Sequence, residues 1–140
     1  MIIKQASSSD NNTVSELALK LWPHCSLQKL KTKFTLILSS KNSVVFLCII
    51  ESKPIAFAQC QLRNDYVEGT RSSPVGYLEG IFVDKEQRHN GIARELLRHC
   101  EQWAKLKGCV EFASDCELDN VDSINFHLKS GFTEVNLIIR

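Results

Sequence analysis

The stretch from Gly76 to Ala93 constrains this chain more than any other. Gly76-Tyr77-Leu78-Glu79-Gly80-Ile81-Phe82-Val83 is apolar enough for a buried strand, yet it carries Glu79 in its middle. A glutamate inside a sheet is costly unless something satisfies it, so this position needs a chemical reason. After a short charged break comes Arg88-His89-Asn90-Gly91, and from Ile92 the apolar residues recur at helical spacing. A strand, a glycine turn and a helix N-terminus bring together backbone N–H groups and the positive end of a helix dipole. That is a place to hold a phosphate.

The rest of the chain reads as support for this unit. Met1 to Gln5 is patterned as a strand. Asp10 to Leu21 places Val14, Leu17, Ala18 and Leu21 on one helical face, with Thr13 and Glu16 as a capping box. A second helix follows Ser26, turning Leu27, Leu30, Phe34 and Leu38 inward and Lys29, Lys31 and Lys33 to solvent. Val44 to Ile50 and Ile55 to Leu62 are two strands of a hairpin, Asn64 to Pro74 a polar loop, and Val75 to Val83 the strand already described. A helix from about Gly91 to Lys107 ends at Gly108, and Cys109 to Ala113 is a short strand. The helix Asn120 to Ser130, with Val121, Ile124 and Leu128 in register, ends at Gly131, and Phe132 to Ile139 is the last strand. The order βααβββαβαβ implies an α/β fold, a mixed sheet with helices packed on it.

At 140 residues this is one domain, residues 1–140, long enough to bury a real core. With 24% charged residues and a formal net charge of +1, bulk composition points to no nucleic-acid surface. No apolar run is long enough for a signal peptide or a membrane span, so a soluble, cytoplasmic protein is expected. The six cysteines form no C-x-x-C pair and sit mostly in apolar segments, which favours reduced, buried thiols and no metal site. The acids are locally biased. Between Cys109 and Leu128 stand Glu111, Asp115, Glu117, Asp119 and Asp122 without a lysine or arginine among them, and the loop adds Asp65 and Glu68. Two readings fit that bias, an acidic cleft that draws a polycationic amine or acidic loops exposed to water.

The element order, together with Arg88-x-x-Gly91-x-Ala93 at a helix start and Ser123-Ile124-Asn125-Phe126-His127-Leu128-Lys129-Ser130-Gly131-Phe132 near the end, resembles the GNAT superfamily of acetyl-coenzyme A dependent N-acetyltransferases. Gly76 to Val83 and Glu111-Phe112-Ala113-Ser114-Asp115 narrow the likeness to the aminoglycoside 6′-N-acetyltransferases, over most of the chain from Trp22 onward.

The resemblance implies an enzyme of antibiotic resistance, passing acetyl from acetyl-coenzyme A to a 6′-amine by direct attack in a ternary complex. It implies that Arg88, His89, Asn90, Gly91, Ile92, Ala93 and Arg94 hold the pyrophosphate, that the pantetheine arm lies along Ile81, Phe82 and Val83, and that Asn120 meets the arm from the other side. It gives Trp22, Tyr66, Glu79 and Asp115 to the antibiotic, with Asn136 where the family tends to have an acid. The attacking amine must lose a proton, and a carboxylate can attract the ammonium ion and accept it, Glu79 first and Asp115 second. Many of these enzymes return a proton to the departing thiolate from a tyrosine where this chain has His127. A homodimer is also implied. Competing readings are acetylation of a polyamine or protein amine, and a coenzyme A binding module without turnover.

Overall fold

The protein was analysed as a computed structural model, which describes residues 1–115 and 121–132. Its elements run β1 (Ile2–Gln5), α1 (Asn11–Leu21), α2 (Leu27–Ser39), β2 (Ser43–Ile50), β3 (Lys53–Arg63), β4 (Val75–Val83), α3 (Ile92–Leu106), β5 (Phe112–Ser114) and α4 (Val121–Lys129). The five strands make one sheet in chain order, antiparallel except where β5 runs parallel to β4. This is the mixed α/β sheet expected. The final strand read at Phe132 to Ile139 lies, after Phe132, outside the described residues.

Each face of the sheet has its own core, because side chains alternate along a strand. Ala56, Ala58 and Cys60 of β3 pack with Leu96, Leu97 and Cys100 of α3 on one face. Phe57 of β3 packs with Val14, Leu17 and Ala18 of α1 and with Leu30 and Phe34 of α2 on the other. The thiols of Cys48, Cys60, Cys100 and Cys109 are free and buried. Burial pushes the Cys48 and Cys109 thiols up; a hydrogen bond with Cys60, then burial, does so for Cys100.

Three local readings are corrected. The capping box sits at Ser7 and Asp10, with the Ser7 N–H donating to the Asp10 carboxylate at 2.9 Å, and not at Thr13 and Glu16. A single 3₁₀ turn, Ser8–Asp10, runs into α1 and moves the true start upstream. The fifth strand begins at Phe112 rather than Cys109, since Cys109 belongs to the closure of α3. The Gly108 N–H reaches the Lys105 carbonyl at 3.0 Å and the Cys109 N–H the Ala104 carbonyl at 3.0 Å, a Schellman motif whose apolar residue tucks back on the helix. Leu128, read as inward, is half exposed, because α4 is turned with Phe126 against the core and His127 against β5.

Candidate active site

β4 is where the sheet is irregular, and the irregularity falls on the acid. Cys60 pairs with Leu78 and Gln59 with Gly80, so Glu79 is an extra residue with no partner of its own in β3. Such a bulge bends a strand and re-aims the side chain at it. The Glu79 carboxylate is held by Arg63 at the end of β3, with Nε donating at 3.2 Å and Nη2 at 3.0 and 3.1 Å. The same guanidinium lies over the Tyr77 ring, 3.5 Å from its centre. Tyr77, buried, donates its hydroxyl hydrogen bond to Asp115, just past β5; its pKa is pushed up to about 12 by burial first and then by the charge of Asp115. The two carboxylates named from sequence are thus joined in one network by Arg63 and Tyr77. Sequence reasoning missed both of these residues. The available signal was an arginine ending the strand beside an interior acid, since such an acid must find a partner.

The aromatic residues divide. Trp22 caps the end of α1, half-buried, its ring edge-on to Phe57 at 6.2 Å. It also reaches β4, where a Cβ on Gly80 would come within 2.7 Å of the indole. Lys33, exposed as read, also sets its ammonium 4.9 Å above the Trp22 ring. Tyr66 stands 80% exposed on the loop after β3, against a recess of about 420 Å³ lined by Gln61, Leu62, Arg63, Asn64, Asp65 and Tyr66.

Glu111, one of the acids in the biased run, is engaged locally. Its carboxylate accepts the Ser72 hydroxyl and the Arg71 N–H, the latter at 2.8 Å, which hold its pKa below the usual glutamate value and tie the loop to the start of β5. Glu117 and Asp119 lie outside the described residues, as do Asn120 and Asn136.

On the far side of β4 the sheet opens. β5 pairs with β4 only at Gly76, Tyr77 and Leu78, while β3 pairs along nearly its whole length. Beyond Leu78, the edge of β4 that includes Ile81, Phe82 and Val83 has no strand beside it among the described residues. Arg88 closes the end of this edge, its Nε donating to the Val83 carbonyl at 2.9 Å. α3 begins a few residues later. Gly91 takes φ +80°, a left-handed conformation that glycine adopts without cost, and nothing lies within 4 Å of where a Cβ would stand. The first N–H groups of the helix have no partner within it. A strand edge with no strand beside it among the described residues, leading to a helix N-terminus, suits an extended amide arm that ends in a pyrophosphate.

His127 stands at the mouth of this opening. Its Nδ1 is 2.6 Å from the Ser123 carbonyl, which can only accept, so a hydrogen is on Nδ1, and Nε2 shares a hydrogen bond with the Ser114 hydroxyl at 2.8 Å. A second Schellman closure, from the Phe132 N–H to the His127 carbonyl at 3.0 Å, folds Phe132 onto the imidazole, 5.1 Å between ring centres. That explains the Gly131-Phe132 pair.

The acetyltransferase (GNAT) family model matches residues 11–132. The chain is 40% identical over 139 residues to the aminoglycoside N(6′)-acetyltransferase type 1 of Acinetobacter haemolyticus, covering 99% of this chain and 95% of that one. The chain belongs to the GNAT acetyltransferases, in the aminoglycoside N(6′)-acetyltransferase family. The namesake enzyme of Stenotrophomonas maltophilia is 36% identical over 140 residues, covering 98% of this chain and 89% of the other. Among solved structures, the aminoglycoside acetyltransferase AAC(6′)-Iy in complex with the bisubstrate analogue CoA-S-monomethyl-acetylneamine superposes with a TM-score of 0.94 at 33% identity, over 99% of this chain and 95% of that one. The apo enzyme AAC(6′)-IG of Acinetobacter haemolyticus gives 0.93 at 38% identity, over 100% and 96%. This acetyltransferase is an acetyl-coenzyme A dependent enzyme. No helix among the described residues is long and apolar enough to cross a membrane.

Proposed function

We propose that this acetyltransferase acetylates the 6′-amine of aminoglycoside antibiotics, with Glu79 as the group that receives the amine. The observation that carries the reading is the bulge: it sets an interior carboxylate beside a stretch of β4 that has no second strand beside it among the described residues. Relatives named for this reaction at 31–40% identity support the substrate class.

When bound, acetyl-coenzyme A supplies an acetyl group activated as a thioester. Ile81, Phe82 and Val83 offer their backbone to its arm, the residues from Arg88 to Arg94 receive its pyrophosphate, and Asn120 meets the arm. Glu79 draws the protonated amine and takes its proton, directly or through one water, which leaves a neutral nucleophile. Asp115, oriented by the Tyr77 hydroxyl, is placed for a second ammonium group. Trp22 and Tyr66 give flat faces to sugar rings and cations, and Asn136 serves the far end of the antibiotic. We further take the enzyme to be one domain, cytoplasmic and homodimeric; light scattering of the purified protein tests the last.

A steady-state screen of thiol release against aminoglycosides with and without a 6′-amine tests the function. Turnover confined to those bearing a 6′-amine is expected. Turnover with spermidine or a peptide alone would make it a polyamine or protein acetyltransferase, and cofactor binding without turnover on any amine would make it a binding module.

A further inference from the structure

Arg63 touches the acid, an aromatic ring and the recess of the site at once. Its guanidinium spends three hydrogen bonds on the Glu79 carboxylate at 3.0–3.2 Å, lies flat over Tyr77 at 3.5 Å, and lines the recess after β3. Glu79 is only 19% exposed, so little of its carboxylate is left for a second cation while the arginine is there. Arg63 itself is 39% exposed and is the last residue of β3, with the Asn64 to Pro74 loop starting at its C-terminal side. Such a residue can swing out into solvent with the cores on the two faces of the sheet left as they are, uncovering the Tyr77 ring. Lys33 over Trp22 repeats the pattern: the chain's own cation covers an aromatic face beside the bulge.

We propose that Arg63 is the specificity gate of the site: its guanidinium fills the cation place on Glu79, and only a substrate that brings several ammonium groups exchanges well for it. This rests on the reading that Glu79 receives the amine. The physical reason lies in the exchange. A guanidinium fork meets a carboxylate through parallel hydrogen bonds and stacks on an aromatic ring, whereas one ammonium group is a compact, strongly hydrated point charge. A monoamine that displaces Arg63 therefore gives up more contacts than it makes. A polyamine recovers them elsewhere, because Asp115 stands behind Tyr77 and Asp65 lines the recess. The gate thus raises KM for every amine, and most for those with a single charge.

The test is a kinetic cycle of wild type, Arg63→Gln, Glu79→Gln and the double variant, with Arg63→Lys as a second probe should Arg63→Gln fold poorly. The amines are an aminoglycoside bearing a 6′-amine and 6-amino-6-deoxyglucose, a sugar with one amine. Arg63→Gln is expected to lower the aminoglycoside KM about tenfold, to leave the acetyl-coenzyme A KM unchanged, and to narrow the kcat/KM ratio between the two amines about tenfold. Arg63→Lys, which keeps the charge without the fork, falls between. The gain disappears when Glu79 is already Gln. A raised aminoglycoside KM or a fallen kcat in Arg63→Gln, with the ratio unchanged, would mean that Arg63 positions Glu79 and would overturn the gate alone. Glu79→Gln behaving as wild type toward both amines would remove the reading beneath it.

Discussion

Glu79, Arg63, Tyr77 and Asp115 show how far single residues can be read. Glu79 was legible because an acid inside an apolar strand demands an explanation. Its partner was not, because Arg63 ends an apolar strand opposite Val75 and looks like a turn residue until its side chain is seen to reach over Tyr77 to the bulge. Tyr77 was hidden for the opposite reason, as an ordinary aromatic in a buried strand. Tyr77→Phe removes the hydroxyl that orients Asp115 and is expected to cost about 1 kcal/mol of stability. The pH dependence should identify the group. A phenol raised from 10.0 to about 12 in the folded state stabilises fully below 10 and loses that contribution as pH rises through 12. Denaturation midpoints should fall more steeply over this window in wild type than in Tyr77→Phe.

At the scale of elements, periodicity and turn chemistry carried most of the reading. β4 and α3 lie where the apolar spacing put them, and Ser26 caps the helix read as following it, its hydroxyl accepting the Lys29 N–H at 3.2 Å. The misses arose where an apolar residue serves a cap instead of a strand, as Cys109 does. The bulge was out of reach, because register is a property of two strands and not of one. Gly80 shows its consequence: the indole of Trp22 fills the space a side chain would need, with 2.7 and 2.8 Å to a built Cβ. Gly80→Ala should force the ring off Phe57 and cost about 1–3 kcal/mol by overpacking. A change in Trp22 fluorescence and a raised aminoglycoside KM would accompany it, whereas unchanged fluorescence would show that the ring does not sit there.

Among the described residues, two large cores fix the sheet from both sides, a small cluster of Val67, Val75 and Tyr77 anchors the loop after β3, and the site falls to the irregular parts, namely the bulge, the opening between β4 and β5, and that loop. The loop is not loose. Glu111 clamps it through Arg71 and Ser72, a tie that sequence presented as one more acid in a biased run. Because those hydrogen bonds depress the Glu111 pKa, the clamp is present above the usual glutamate value of 4.5 and is lost as pH falls through the lowered one. Glu111→Ala should speed tryptic cleavage after Arg71 several-fold at pH 8 while leaving the global denaturation midpoint where it is. Equal cleavage rates would contradict the clamp.

All of this depends on Glu79 meeting the amine. The most direct measurement is kcat/KM of Glu79→Gln for an aminoglycoside with a 6′-amine, alongside a calorimetric titration of the same variant with acetyl-coenzyme A. A carboxylate that takes the proton contributes about 10²–10⁴-fold, so kcat/KM should fall by that factor while cofactor affinity stays at the wild-type value. Undiminished kcat/KM, or a loss matched by a loss of cofactor binding, would contradict the account.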